Sequence, residues 1–140
     1  MADKTIELLK EVPLFSKCNK KQLKSVKKTA KEKEFEAGDK IVKEGDMSNV
    51  GFYLILEGQV EVKQGEKTLS KLGSGQFFGE MAVLDEKPRS ADVVATMDTK
   101  CLLLTTWDFK ALLKSYPGMA EKIIAELANR LRQTNMALSR

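Results

Sequence analysis

Six glycines, at positions 38, 45, 51, 58, 65 and 73, divide the middle of the chain at steps of 7, 6, 7, 7 and 8 residues, and Gly75 and Gly79 follow. Glycine supplies the positive φ that tight turns need. Between these glycines lie short apolar stretches at 41–42 and 52–56, then Val60 and Val62, then Leu69 and Leu72. Turns so closely spaced leave strands of about five residues, the spacing of a sandwich or a barrel. Two longer strand candidates follow, near 89–96 and 100–106.

The flanks read differently. Residues 5–33 read as helical: Ile6, Leu8, Leu9 and Val12 lead into Pro13, which breaks the pattern, and Asn19 suits the N-cap of a helix over 20–31. After Trp107 the apolar period changes from two to 3.6. Asp108 can start a helix through Tyr116, Pro117 and Gly118 interrupt it, and a last helix runs from about 119 to near the C-terminus. Along that helix Ala120, Ile124, Leu127, Leu131, Thr134 and Leu138 step by 4, 3, 4, 3 and 4. This is the rhythm of paired helices, and it fits equally a helix packed on its own barrel.

Composition removes several functions. The 140 residues contain no histidine, which excludes histidine-based triads and proton shuttles and most zinc or iron sites. Cys18 and Cys101 show no CxxC spacing and suit neither a disulfide framework nor a thiolate metal site, so a reducing compartment is expected. No apolar run approaches the ~20 residues that cross a bilayer. The start, MADKTIELLK, lacks the apolar stretch of a signal peptide. The chain therefore reads as cytoplasmic, with no membrane partner. Its net charge of +4 is uneven: residues 1–33 hold ten lysines and four acids, and the remainder is slightly acidic. Lys20, Lys21, Lys24, Lys27, Lys28 and Lys31 have no arginine or aromatic residue among them to read or stack on bases. They read as a solvated helix face before a nucleic-acid patch.

One segment, FGEMAVLDEKPRSA at 78–91, concentrates groups suited to a phosphate beside a sugar. Gly79 allows close backbone approach. A short helix over 80–84 would turn free N–H groups toward an anion. Pro88 sets the chain direction before Arg89, whose planar fork of donors matches phosphate oxygens. Ser90 adds a hydroxyl, and Glu80 can accept bonds from ribose hydroxyls.

These residues resemble the phosphate-binding cassette of the cyclic nucleotide-binding domain family, which includes the catabolite activator protein and the regulatory subunits of cAMP-dependent kinase. The family pattern of FGE, several apolar residues, then PR, a small residue and alanine stands here as Phe78-Gly79-Glu80 and Pro88-Arg89-Ser90-Ala91. The step from Glu80 to Arg89 resembles the loop length of the kinase subunits. Val12-Pro13-Leu14-Phe15, Ala37-Gly38-Asp39, Glu44-Gly45-Asp46, the run FYLILEG at 52–58 and Ala128-Asn129-Arg130-Leu131 resemble further family motifs in their order, so the likeness covers nearly the whole chain.

The resemblance implies a mainly β fold: an eight-stranded antiparallel β-roll, jelly-roll-like, with N-terminal helices and a long C-terminal helix. It makes 1–140 one domain, with a helical segment at 1–33, the roll at 34–106 holding the cassette at 78–91, and helices at 107–140. It assigns Arg89, Ser90 and Ala91 to the cyclic phosphate and Gly79 and Glu80 to the ribose. By likeness to the activator branch, Thr134 and Asn135 meet the base, with Leu131, Met136 and Leu138 as positions from which a side chain would cap it. Serine after the cassette arginine goes with cAMP in that branch, whereas threonine favours cGMP, so cAMP is expected and cGMP is the alternative. The expected role is a regulatory sensor, not an enzyme. It has no catalytic residue, metal or cofactor, pairs through its last helix and acts on an unidentified effector protein. The activator type carries a DNA-binding helix-turn-helix after the long helix, and this sequence ends at Arg140 without one. A truncated regulator of that type is the second alternative.

Overall fold

The computed structural model describes residues 4–45, 51–79 and 91–138, apart from the side chains at 130, 133, 134, 137 and 138. The described residues form helix α1 (Lys4–Glu11), a 3-10 turn (Pro13–Phe15) and helix α2 (Lys20–Thr29). Eight strands follow: β1 (Lys31–Phe35), β2 (Lys40–Val42), β3 (Gly51–Glu57), β4 (Gln59–Gln64), β5 (Lys67–Gly73), β6 (Phe77–Phe78), β7 (Asp92–Ala95) and β8 (Thr99–Thr105). Helices α3 (Thr106–Ser115) and α4 (Pro117–Leu138) end the chain. The strands make two four-stranded sheets, β1-β8-β3-β6 and β2-β7-β4-β5, with every pairing antiparallel. This is the expected roll flanked by helices.

The two inner strands of the first sheet, β3 and β8, are buried on both faces, and their alternation explains how. In β3, Phe52 and Leu54 pack with the helices, while Tyr53 and Ile55 face the second sheet. In β8, Leu102 and Leu104 take the helical side, while Cys101 and the partly buried Leu103 take the other. Strands buried on both faces lose the polar half of the usual alternation, which is why β3 reads as the nearly continuous run FYLIL. Phe15 anchors the helical side, edge-on to Phe52 with centroids 5.6 Å apart and 6.3 Å from Phe109. Each such fully buried ring contributes roughly 1.5–3 kcal/mol.

Several boundaries differ from the sequence expectation. Residues 31–33, expected to be helical, begin strand β1, whose Lys31 faces Leu103 and whose Phe35 faces Thr99. β1 lies at a sheet edge with four of its five residues exposed, so no apolar alternation announces it. Helix α3 begins at Thr106, and its N-cap is Thr105, whose Oγ1 accepts from the Asp108 N–H at 3.2 Å. Asp108 lies in the first turn instead of capping it. Pro117 starts α4 where an interruption was expected, since proline at a first helical position loses no intrahelical bond. Asn19 does cap α2, in a reciprocal capping box with Gln22. Gly51 is no turn residue: it lies in β3, and an added Cβ would stand 2.8 Å from Leu103 Cδ1.

Candidate functional site

The cassette joins the two sheets. It leaves β6, on the edge of the first sheet, and returns as β7, inside the second. Register fixes which end of the roll this is. Phe78 lies opposite Tyr53, near the start of β3, and Asp92 lies opposite Lys63, near the end of β4. The turn from β3 to β4 at Gly58 is therefore at the opposite end.

Both described termini of the cassette are anchored. The Phe78 and Tyr53 rings stack at 4.9 Å with 9° between their planes. Both belong to the apolar cluster inside the roll, with Ile41, Val42, Val60 and Val93. Gly79 follows at φ 80°, a left-handed conformation that side chains rarely adopt. At the other terminus Ala91 is buried, as its small side chain permits. Of the predicted ligand-facing residues, the structure thus places Gly79 and Ala91 at the two ends of the inter-sheet link. Glu80, Pro88, Arg89, Ser90 and the short helix expected over 80–84 lie outside the described residues.

One residue that the sequence reading missed stands beside this link. Asp92 Oδ1 accepts the Glu44 N–H at 2.7 Å, and Lys40 Nζ lies 3.3 Å from Oδ2. The backbone bond from Glu44, then Lys40, hold the Asp92 carboxyl below its ordinary pKa of 3.8. A single acid opening an otherwise apolar strand, DVVA, was the only sequence signal.

The base-contacting candidates belong to helix α4. Helix α4 packs on the N-terminal helical segment: Met119 and Ile123 are buried in the helical cluster, with Leu127 partly buried against it. Ser16 Oγ donates to Glu126 Oε2 at 3.4 Å, Lys17 pairs with Glu126 at 3.7 Å, and Lys122 Nζ donates to Gln22 Oε1 at 3.0 Å. Among the described residues, no member of the apolar cluster inside the roll comes from α4. Asn135 is exposed on α4, and Thr134 lies in the same helix. The inward stripe Met119–Ile123–Leu127 shares only Leu127 with the heptad stripe, whose Ile124 is 65% exposed and Leu131 61%. Among the described residues, α4 therefore leaves Ile124 and Leu131 of the heptad positions exposed.

A cleft of about 660 Å³ opens at the far end of the roll, lined by Glu34, Phe35, Glu36, Asp39, Glu57, Asp98, Thr99 and Lys100. Five carboxylates against one ammonium make it unfavourable for a phosphodiester anion. Among the described residues no three acids or thiols converge to hold a metal ion, and no helix is long and apolar enough to cross a membrane.

Residues 32–116 match the family model for the cyclic nucleotide-binding domain. The chain is 40% identical over 106 residues to the cyclic AMP receptor protein of Thermus thermophilus, an alignment covering 72% of this chain and 49% of that protein. It is 33% identical over 114 residues to a cAMP-dependent protein kinase regulatory subunit of Hypocrea atroviridis, covering 81% of this chain and 24% of that one. It thus spans half or less of the curated relatives it matches. The N-terminal domain of a transcriptional regulator from Streptomyces coelicolor A3(2) superposes with a TM-score of 0.86 at 28% identity, over 93% of both chains.

Proposed function

The chain belongs to the cyclic nucleotide-binding domain family, and from that premise we propose that it is a cAMP sensor without catalytic activity. Arg89, Ser90 and Ala91 hold the cyclic phosphate, and Gly79 and Glu80 hold the ribose. The observation that supports this reading is the complete motif in the sequence, bracketed in the structure by Gly79, in a left-handed conformation after β6, and by Ala91, buried just before β7.

A cyclic nucleotide keeps one negative charge at neutral pH, and the Arg89 guanidinium is its counter-charge in the motif. Glu80 accepts from the ribose 2′-hydroxyl, a charge-assisted bond to a neutral donor. Thr134 and Asn135 of α4 meet the base. Base contact on α4 gives occupancy a route to the stripe at Ile124 and Leu131, where a second copy of the chain or an effector protein is engaged. Two free thiols, Cys18 and Cys101, suit a cytoplasmic setting.

A second reading makes the same module the sensor part of an activator-type transcription regulator; the full-length likeness to a regulator's N-terminal domain favours it. Displacement of a fluorescent cAMP analogue tests the shared claim. Competition in the order cAMP, then cGMP, with 5′-AMP far weaker, is expected. Equal displacement by AMP would contradict it, and a reversed order of the two cyclic nucleotides would correct the base preference.

A further inference from the structure

We propose that Asp92 is a positioning residue for the phosphate-binding end of the cassette, acting through the main chain of Glu44. The proposal rests on the sensor reading above. In the β2–β7 ladder Lys40 faces Val94, the register shifts, and Val42 faces Val93, where the pairing ends. The Asp92 carboxylate supplies the next rung itself, accepting the Glu44 N–H at 2.7 Å. The first residue of β7 is thereby held from both sides: by β4, where Asp92 faces Lys63, and by the chain leaving β2.

That residue directly follows Ala91, and Arg89 stands three positions before it. A guanidinium fork must be held within about 0.5 Å of its productive geometry to bind two oxygens at once, so a fixed strand start next to it matters. Aspartate is disfavoured in strands, and here it opens an inner strand of a sheet. Its charge is the wrong sign to stand near a bound anion, but Lys40 offsets it at 3.3 Å. The useful feature is therefore the acceptor oxygen, which asparagine also supplies.

Calorimetric titration with cAMP tests this on the wild type, Asp92→Ala, Asp92→Asn and Thr99→Val. Thr99 is the stability control: it is buried at the opposite end of the roll, where its hydroxyl donates to the Met97 carbonyl at 2.8 Å. Asp92→Ala should bind about 10-fold more weakly, the loss of one net hydrogen bond. Asp92→Asn should stay within about threefold of wild type, and Thr99→Val should lower the melting temperature without lowering affinity. Hydrogen exchange at the Glu44 amide needs no variant, and cAMP should slow it. Wild-type binding with an unweakened Asp92→Ala, an equally weakened Asp92→Asn, an affinity loss in Thr99→Val that follows its stability loss, or a Glu44 amide indifferent to cAMP would each overturn the proposal alone. A wild-type chain that binds neither cAMP nor cGMP would overturn the sensor reading first, and this with it.

Discussion

Replacing Gly58 by alanine should be among the most damaging single-methyl additions in the roll. Gly58 makes the turn from β3 to β4 at φ 111°. A Cβ there would stand 2.7 Å from Thr99 Cα and 2.8 Å from the Asp98 carbonyl oxygen, both backbone atoms. Thr99 cannot retreat cheaply, because it is 3% exposed and its hydroxyl is bonded to Met97 and Gln59. The left-handed backbone costs about 1–2 kcal/mol for alanine. Forcing a methyl into packed surroundings adds about 1–3 kcal/mol. The sum, about 2–5 kcal/mol, is a large part of the 5–15 kcal/mol typical of whole domains. Gly65 provides the comparison: its φ is 60°, but a Cβ meets nothing within 4 Å, so only the backbone cost applies. At about 3 °C per kcal/mol for this size, Gly65→Ala should lose about 3–6 °C and Gly58→Ala about 6–15 °C. Far-UV circular dichroism is the suitable probe, since Trp107 is 83% exposed and reports weakly on folding. Equal losses in the two variants would refute the packing account of this turn.

Four further outcomes follow from the same reasoning. Burial pushes the Cys101 thiol up to about 12, leaving roughly one thiolate in ten thousand at pH 8; a thiol reagent should spare Cys101 until the chain unfolds, and stoichiometric labelling of the folded protein would contradict this. The Asp92 carboxyl titrates below 3.8 in the folded state, so its contribution is complete above about pH 5 and is lost as pH falls through the native value; urea midpoints of wild type and Asp92→Asn should converge as pH falls from 5 toward 3, and a constant gap would contradict the stabilisation of the carboxylate by Glu44 and Lys40. Removing one partner of a buried charge pair costs roughly 3–5 kcal/mol, against about 1.5–3 kcal/mol for a charge-assisted bond to a hydroxyl; Arg89→Ala should therefore weaken cAMP binding more than Glu80→Ala, and calorimetry giving the reverse ranking would overturn the assignment of roles. Glutamate at both Ile124 and Leu131 should abolish self-association in sedimentation runs with cAMP; a wild type that is monomeric throughout would remove the pairing role of α4.

How much was legible depended on whether a residue's partners lie nearby in sequence. Asn19 could be assigned as a cap because its partner Gln22 is three residues away. The run at 52–56 announced a strand because it is apolar on both faces, and the glycine spacing announced the short strands of a sandwich or barrel, with the roll itself implied by the family motifs. β1 stayed hidden because its outward residues are charged and its pairing partner β8 is some seventy residues distant. β6 is two residues long and lies where the cassette begins, so no period could form. In the site, Gly79 and Arg89 carried meaning through their motif. Asp92 did not, because its partner is a backbone N–H 48 residues earlier, which no side-chain pattern records. The two stripes of α4 overlap along one sequence, so the heptad count could not assign Ile123 to the core and Ile124 to the surface.

The central claim, that this roll reads a cyclised phosphate, is tested most directly by thermal unfolding of the chain with cAMP or 5′-AMP at equal concentration. At 100 times its dissociation constant cAMP should add about 2.7 kcal/mol and raise the midpoint by about 8 °C, with AMP leaving it unchanged. An unmoved midpoint with cAMP at millimolar concentration, or an equal rise with AMP, would contradict the account.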